Sequence, residues 1–179
     1  MEYLITTPRL GLRRWQPKDL DPFAEMNADP AVREFFPNVM TREESAASMS
    51  RIENQFDKYG YGWYAVDLLA TGEFIGFVGM SNPSGWDAWF MPCVEIGWRL
   101  TRKAWGHGYA TEAAKACLDY AWNVLHLDKV YAYTAALNLR SQKVMDKIGM
   151  KMAGKFDHPK LEAGHPLQPH VVYEITRPV

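Results

Sequence analysis

Between Val94 and Trp122 the hydrophobic period of this chain switches across a pair of glycines, and that switch constrains the fold most. Val94, Ile96, Trp98 and Leu100 alternate with Glu95, Gly97 and Arg99, the period-two pattern of a strand. Beyond Gly106 and Gly108, Ala110, Ala113, Ala114, Cys117, Leu118, Ala121, Trp122 and Leu125 fall on one helical face. Glycines at the mouth of a helix let backbone approach a ligand closely, and the first helical N–H groups point outward unpaired. A strand, a glycine turn and a helix in that order predict a receptor for phosphate groups.

Three glycine loops compete for that role. The Walker string G-x-x-x-x-G-K-[ST] does not occur in the chain. A dinucleotide fingerprint needs a small residue three positions after the second glycine, where Thr111 stands, and an acid at the end of the next strand. Asp128 has the spacing but precedes the strand KVYAYTA. In the third reading, Trp105-Gly106-His107-Gly108-Tyr109-Ala110 resembles the acyl-coenzyme A loop of the GNAT acetyltransferases, of pattern [Q/R]-x-x-G-x-[G/A], with Trp105 in place of Gln or Arg. A looser frame begins at Lys103, which is not the usual residue either.

Other segments carry a wider resemblance. The opening TPRLGLRRWQ, a helix leading to Asp29-Pro30-Ala31-Val32, the segment Thr41-Arg42-Glu43-Glu44, W-G-H-G-Y-A-T-E-A, and Asn138–Ser141 through Lys147–Met150 occur in that order. Together they resemble the RimJ/RimL-like branch of the GNAT N-acetyltransferases over about residues 6–176, with Met150 where Phe is usual. The resemblance implies one GNAT domain spanning 1–179, an α/β (α+β) fold with a mixed, mostly antiparallel central sheet flanked by helices. It implies acetyl-CoA as co-substrate, held by Gly106, His107, Gly108, Tyr109, Ala110 and Thr111 at the diphosphate. Trp105 belongs to the same loop, Trp98, Arg99 and Leu100 lie along the pantetheine arm, and Asn138 also reaches coenzyme A. For Trp98 the plainer alternative is core packing.

Composition narrows the class. At 179 residues, 47% hydrophobic and 13% aromatic, the chain has material for a sizeable core. A net charge of -1 argues against a broad nucleic-acid surface. No apolar run approaches the roughly 20 residues of a membrane span, and MEYLITTPRL lacks a signal-peptide core. Cys93 and Cys117 make no disulfide framework. A cytoplasmic enzyme, monomer or homodimer, is expected.

Along the chain, strands are predicted at 9–15, WYAVDLL, FIGFVGMSN, 94–100, KVYAYTA, KMAGKF and HVVYEI. Helices are predicted for PKDLDPFAEMNA, from the Thr41/Glu44 capping box to about Tyr59, after Gly108, and over Asn138–Ile148. Ala70–Glu73 reads as a hairpin turn, Pro83–Met91 and Asp157–Pro169 as loops.

Acyl transfer to an amine needs a held donor, a base for the amine, a polarised carbonyl and a proton for the leaving thiolate. An α-amine of pKa about 7.7–8.0 costs roughly 1 kcal/mol to deprotonate at pH 7, a lysine of about 10.4 roughly 4.6 kcal/mol. A carboxylate with a water relay suffices for the first. Glu95, on the strand before the loop, is the candidate base, where several GNAT enzymes place a glutamate; the alternative is a surface or ion-paired glutamate. Glu112, in the first turn of the helix, fits the macrodipole as a structural residue. Ser141 matches the serine suggested as thiolate proton donor in the RimL-like branch, and Met145 stands where other GNAT enzymes carry a tyrosine. Asn138 is the expected N-cap.

The acceptor pocket is expected from aromatic loops: Phe35 and Phe36 after the first helix, Trp86 and Trp89 in another loop. The loop with His158, His165 and His170 borders it, and its spacings match no zinc motif, so no metal is expected. Cys93 lacks a neighbouring base for a covalent role. The expected acceptor is a protein N-terminal α-amine. The alternatives are a small amine or amino acid, and a non-catalytic acyl-CoA sensor that keeps the loop without turnover.

Overall fold

The computed structural model describes residues 2–178. Eight strands form one sheet in the order β1-β2-β3-β4-β5-β6-β8-β7. They are β1 (Ile5–Thr6), β2 (Leu10–Arg13), β3 (Trp63–Leu68), β4 (Phe74–Ser81), β5 (Glu95–Leu100), β6 (Lys129–Ala135), β7 (Lys151–Asp157) and β8 (Pro169–Thr176). All neighbours pair antiparallel except β5 and β6. Four α-helices flank the sheet: α1 (Leu20–Ala28), α2 (Arg42–Tyr59), α3 (Tyr109–Asn123) and α4 (Leu139–Lys147). This is the mixed, mostly antiparallel α+β architecture expected from the sequence.

Local chemistry sets the helix ends. Thr41 accepts from the Glu44 N–H at 3.1 Å and the Glu44 carboxylate accepts from the Thr41 N–H at 2.7 Å, a closed capping box. Gly60, at φ +78°, ends α2 in the left-handed conformation. The expected first helix divides into a single 3₁₀ turn, Pro17–Asp19, and α1. The break follows from Asp19, whose carboxylate turns inward to Arg13 and also accepts from the Gln16 N–H at 2.8 Å. The short strand β1, absent from the sequence expectation, pairs with β2 through Ile5↔Leu12.

Register assigns the faces. Arg13 lies opposite Ala65, Ala65 opposite Phe77, and Phe77 opposite Arg99, so these four share one face, and Glu95 joins them by alternation along β5. Phe23 of α1 packs edge-on against Phe77 and Trp15 there. The opposite face carries Tyr64, Val78 and Ile96, covered by α3 through the buried stripe Ala113, Ala114, Cys117, Leu118 and Ala121. Small residues along that stripe let the helix lie close to the strands, which fixes where its N-terminus emerges.

Candidate active site

That N-terminus sits at the end of β5. A 3₁₀ turn, Arg102–Ala104, leads into Gly106 and Gly108, both at φ +80°, and Gly108 is the N-cap of α3. Left-handed φ is costly for residues with a Cβ, so the glycines make this turn possible. Gly106, His107 and Gly108 are exposed, and the first N–H groups of α3 face outward beside them. Trp105 donates its indole N–H to the Leu100 carbonyl at 3.0 Å and so ties the turn to the strand. The guanidinium of Arg140, from α4, lies 4.4 Å over the Trp105 ring. His107 stacks on Tyr109, and the Arg9 guanidinium lies 4.6 Å from the centre of the same Tyr109 ring. Glu112 accepts from Thr7 Oγ1 at 2.6 Å and from the Arg9 Nε at 2.7 Å, fastening the N-terminal segment to α3. Partial burial raises its pKa, and these hydrogen bonds outweigh that and hold it below the usual range. Glu112 is thus a structural anchor.

Next to this turn the sheet opens. β4 and β5 pair continuously from Gly76↔Leu100 to Ser81↔Glu95, whereas the β5–β6 ladder among the described residues consists of Glu95↔Tyr131. Beyond it the strands part. Apart from the Leu100 carbonyl, which Trp105 occupies, the backbone groups of Ile96–Leu100 that point away from β4 therefore face a wedge with no strand in it. Unpaired backbone N–H and C=O groups require a partner, and a ligand carrying amides in an extended chain supplies one. Trp98, Arg99 and Leu100 all lie on this stretch, and the wedge runs to the glycine turn at one end.

At the other end lies Glu95. It is 9% exposed, and Ser81 Oγ donates to its Oε1 at 2.7 Å. Burial raises its pKa, opposed by hydrogen bonds from Ser81 and Tyr133. Burial and the adjacent Glu95 charge raise the Tyr133 pKa, so that phenol stays a neutral donor. Glu95, Ser81, Tyr133, Trp63 and Trp86 line a cavity of about 340 Å³, whose far wall is Ser48, Arg51, Ile52 and Gln55 of α2. Trp63, on β3, also lines the cavity, and its buried Nε1 has no hydrogen-bond partner among the described residues. Sequence reading missed Ser81 and Tyr133. Their link to Glu95 depends on strand register, which no local pattern encodes.

Ser141 opens α4, where Asn138 Oδ1 accepts from its N–H at 3.1 Å and caps the helix. Asn138 Nδ2 in turn donates to Thr134 Oγ1 at 3.0 Å, fixing the cap to β6. Ser141 is half-buried, and its hydroxyl has no partner among the described residues. Met145 is buried in the core, 1% exposed.

The four aromatic residues expected to form an acceptor pocket separate. Trp86 lines the cavity, stacked on Phe156 and edge-on to Tyr133. Phe36 instead lies between the guanidinium groups of Arg33 and Arg99, at 4.2 and 4.4 Å, and Phe35 lies 5.7 Å from Arg140. Cation–π attraction holds both beside the glycine-turn end of β5. Trp89 is 57% exposed and covers Gly154 of β7, donating to the Lys155 carbonyl at 3.3 Å. Its indole needs the bare Gly154 backbone, and so it points away from the cavity. His158 and His170 pack beside Trp86 and Phe156 with ring centroids 5.0 Å apart, while His165 accepts a hydrogen bond from the Leu167 N–H in its own loop. Burial, with His170 and Lys160 nearby, lowers the His158 pKa to about 4. Among the described residues no group of three or more His, Cys, Asp or Glu side chains is arranged to hold a metal ion, and no helix is long and apolar enough to cross a membrane. Burial, with Glu95 close by, pushes the Cys93 thiol up to about 12, away from thiolate chemistry.

Comparison with known proteins agrees with this layout. Residues 9–151 match the family model of the acetyltransferase (GNAT) domain. YkkB of Bacillus subtilis is 34% identical over 150 residues, covering 82% of this chain and 84% of that one. The Bacillus subtilis N-acetyltransferase YnaD is 31% identical over 153 residues, 85% of each chain. The crystal structure of a GNAT-family acetyltransferase from Bacillus anthracis superposes with a TM-score of 0.79 at 26% identity, covering 96% of this chain and 97% of that one. The chain belongs to the GNAT acetyltransferase family and is an acetyl-CoA-dependent N-acetyltransferase.

Proposed function

We propose that acetyl-CoA lies along the wedge between β5 and β6, diphosphate at Gly106–Thr111, and that a primary amine enters the Glu95 cavity and attacks the thioester directly, in a ternary complex. The observation that carries this reading is the continuity of three features on one strand: the glycine turn, the open edge of Ile96–Leu100, and the buried carboxylate of Glu95. The glycine turn and α3 N-terminus suit phosphate oxygens, and the open strand edge suits the pantetheine amides. Tyr133 and Ser81 hold the Glu95 carboxylate in place, and Glu95 takes a proton from the entering ammonium so that the neutral amine can attack, the second proton passing to water as the C–N bond forms. As the C–S bond breaks, Ser141 gives its proton to the thiolate and recovers one from water. Asn138 orients Ser141 by capping its helix and gives coenzyme A a polar neighbour.

An α-amine suits this base, since a buried carboxylate of raised pKa can accept its proton at modest cost. We take the acceptor to be a protein N-terminal α-amine. A small amine or amino acid is the second reading, favoured by the wall that α2 and the loop around Trp86 place on opposite sides of the cavity.

The donor half is tested at Gly108. A Cβ there meets only Arg9 Nη2, at 3.7 Å, so Gly108→Val leaves the packing intact but strains the φ +80° turn and crowds the approach to the helix N-terminus. Calorimetric affinity for coenzyme A should fall at least tenfold in a protein with the wild-type circular dichroism spectrum. Unchanged affinity removes the turn from donor binding.

A further inference from the structure

The cavity beside Glu95 has an uneven charge distribution. Glu95 is the one carboxylate among its lining residues, and it is buried, at the floor. Two cations line the same cavity, Arg51 from α2 and Lys160 from the loop between β7 and β8, and both are exposed, at the mouth. Among the described residues neither forms an ion pair, whereas Arg9, Arg13, Arg14, Arg42, Arg140 and Arg177 all do. The sequence shows why for Arg51: positions three and four away are Ala47, Ser48, Asn54 and Gln55, so its own helix offers no acid.

The wall itself departs from a packing surface. Ser48, Arg51, Ile52 and Gln55 follow i, i+3, i+4, i+7 spacing, the stripe a helix ordinarily fills with apolar residues against a core. Here three of the four are polar and turn to a cavity. Polar side chains converging on a concave site orient a ligand.

An acid at the floor and two unpaired cations at the mouth complement a zwitterion that enters amine first. We infer that the acceptor is a primary amine bearing a carboxylate, with Arg51 and Lys160 as the residues that select it. The inference rests on the reading of the cavity as the acceptor site. The carboxylate is either the main-chain group of a free amino acid or an acidic side chain close to a peptide N-terminus. A polyamine would place a second ammonium against Arg51 and Lys160, a like-charge contact that specific sites avoid.

The full chain, saturated with acetyl-CoA, should be assayed for thioester consumption with matched acceptors. These are phenylalanine and phenylalaninamide, short peptides with Asp or Asn at the second position, and spermidine. The acid of at least one pair should exceed its amide about tenfold in kcat/KM, and the pair that responds identifies the source of the carboxylate. Arg51→Gln should narrow the acid-to-amide ratio at least threefold through KM for the acid, with Arg51→Lys restoring most of it, and Lys160→Gln should act in the same direction. Amides equal to acids, or spermidine as the best acceptor, overturns this inference and leaves acetyl transfer standing. Hydrolysis-level turnover with every amine, in a protein that still binds coenzyme A, overturns the reading of the cavity itself.

Discussion

Arg13 and Arg99 stand on the same face of one sheet, three strands apart, in opposite electrostatic states. Arg13 is 1% exposed and uses all five of its donors, on Asp19, Asp67 and the Arg14 carbonyl, at 2.7 to 3.1 Å. Arg99 is half-buried and donates to one neutral acceptor, Asn27 Oδ1, at 3.0 Å, while its Nε has no partner among the described residues. Burial and the nearby Arg33 lower its pKa to about 9. On the β2–β3 side of the sheet the cation is fully paired, by two carboxylates. On β5 a cation and the Glu95 carboxylate occupy the same strand face without meeting. Charges that hold the fold are matched within it, and those flanking the wedge remain available.

Breaking the matched set should have the largest effect. Arg13→Ala leaves the Asp19 and Asp67 carboxylates buried without a cation, and losing one partner of such a set costs about 3–5 kcal/mol. Against a total stability of about 5–15 kcal/mol, urea unfolding should show a sharply lowered midpoint. Adding Asp19→Asn and Asp67→Asn should recover part of the loss, since the orphaned charges are then gone. A single variant as stable as wild type contradicts the assignment of this network to the fold.

The same experiment on Arg99 should come out differently. Arg99→Met removes a cation with an orphaned Nε, while forfeiting one hydrogen bond and the contacts with Phe36 and Phe77. These terms are each about 1 kcal/mol and opposed, so stability should stay within about 1 kcal/mol of wild type. Coenzyme A affinity or turnover should nonetheless fall severalfold, because Arg99 flanks the wedge. A loss as large as that of Arg13→Ala would erase the distinction between the two arginines.

Legibility in the sequence follows the same division. The glycine turn, α3 and the α2 capping box were readable because each depends on residues within a few positions: positive φ at glycine, a 3.6-residue period, a Thr-x-x-Glu pair. The place of Glu95 on the strand before the turn follows from local alternation, but Ser81 and Tyr133 reach it from two other strands through register. The Arg13 network links residues 13, 19 and 67 through a strand pairing that no spacing announces. Arg51 was hidden for another reason, since Ser48, Arg51 and Gln55 on α2 look like a solvated face. The aromatic loops misled because loop aromatics find partners by packing. Phe35 and Phe36 were claimed by arginines and Trp89 by a glycine on β7, which left Trp86 at the cavity.

The pH dependence of Glu95 sharpens the role of the unmatched end. Its folded-state pKa is raised, chiefly by burial, so the protonated carboxyl is the form the fold favours. The stability it contributes is therefore full below the unfolded pKa of about 4.3 and is lost as pH rises through the folded value. Glu95→Gln should match wild type in stability near pH 4 and exceed it at pH 7–8, the reverse of what a carboxylate in an ion pair gives. Catalysis should move the other way. With an α-amine acceptor of pKa about 7.7–8.0, a base matters only while the amine is protonated, so Glu95→Gln should lose roughly tenfold in kcat/KM at pH 6–7 and almost nothing above pH 8.5. Coenzyme A affinity should be unchanged throughout. A loss that persists undiminished at pH 9 assigns Glu95 to acceptor positioning, and equal rates at pH 6 leave deprotonation to water alone.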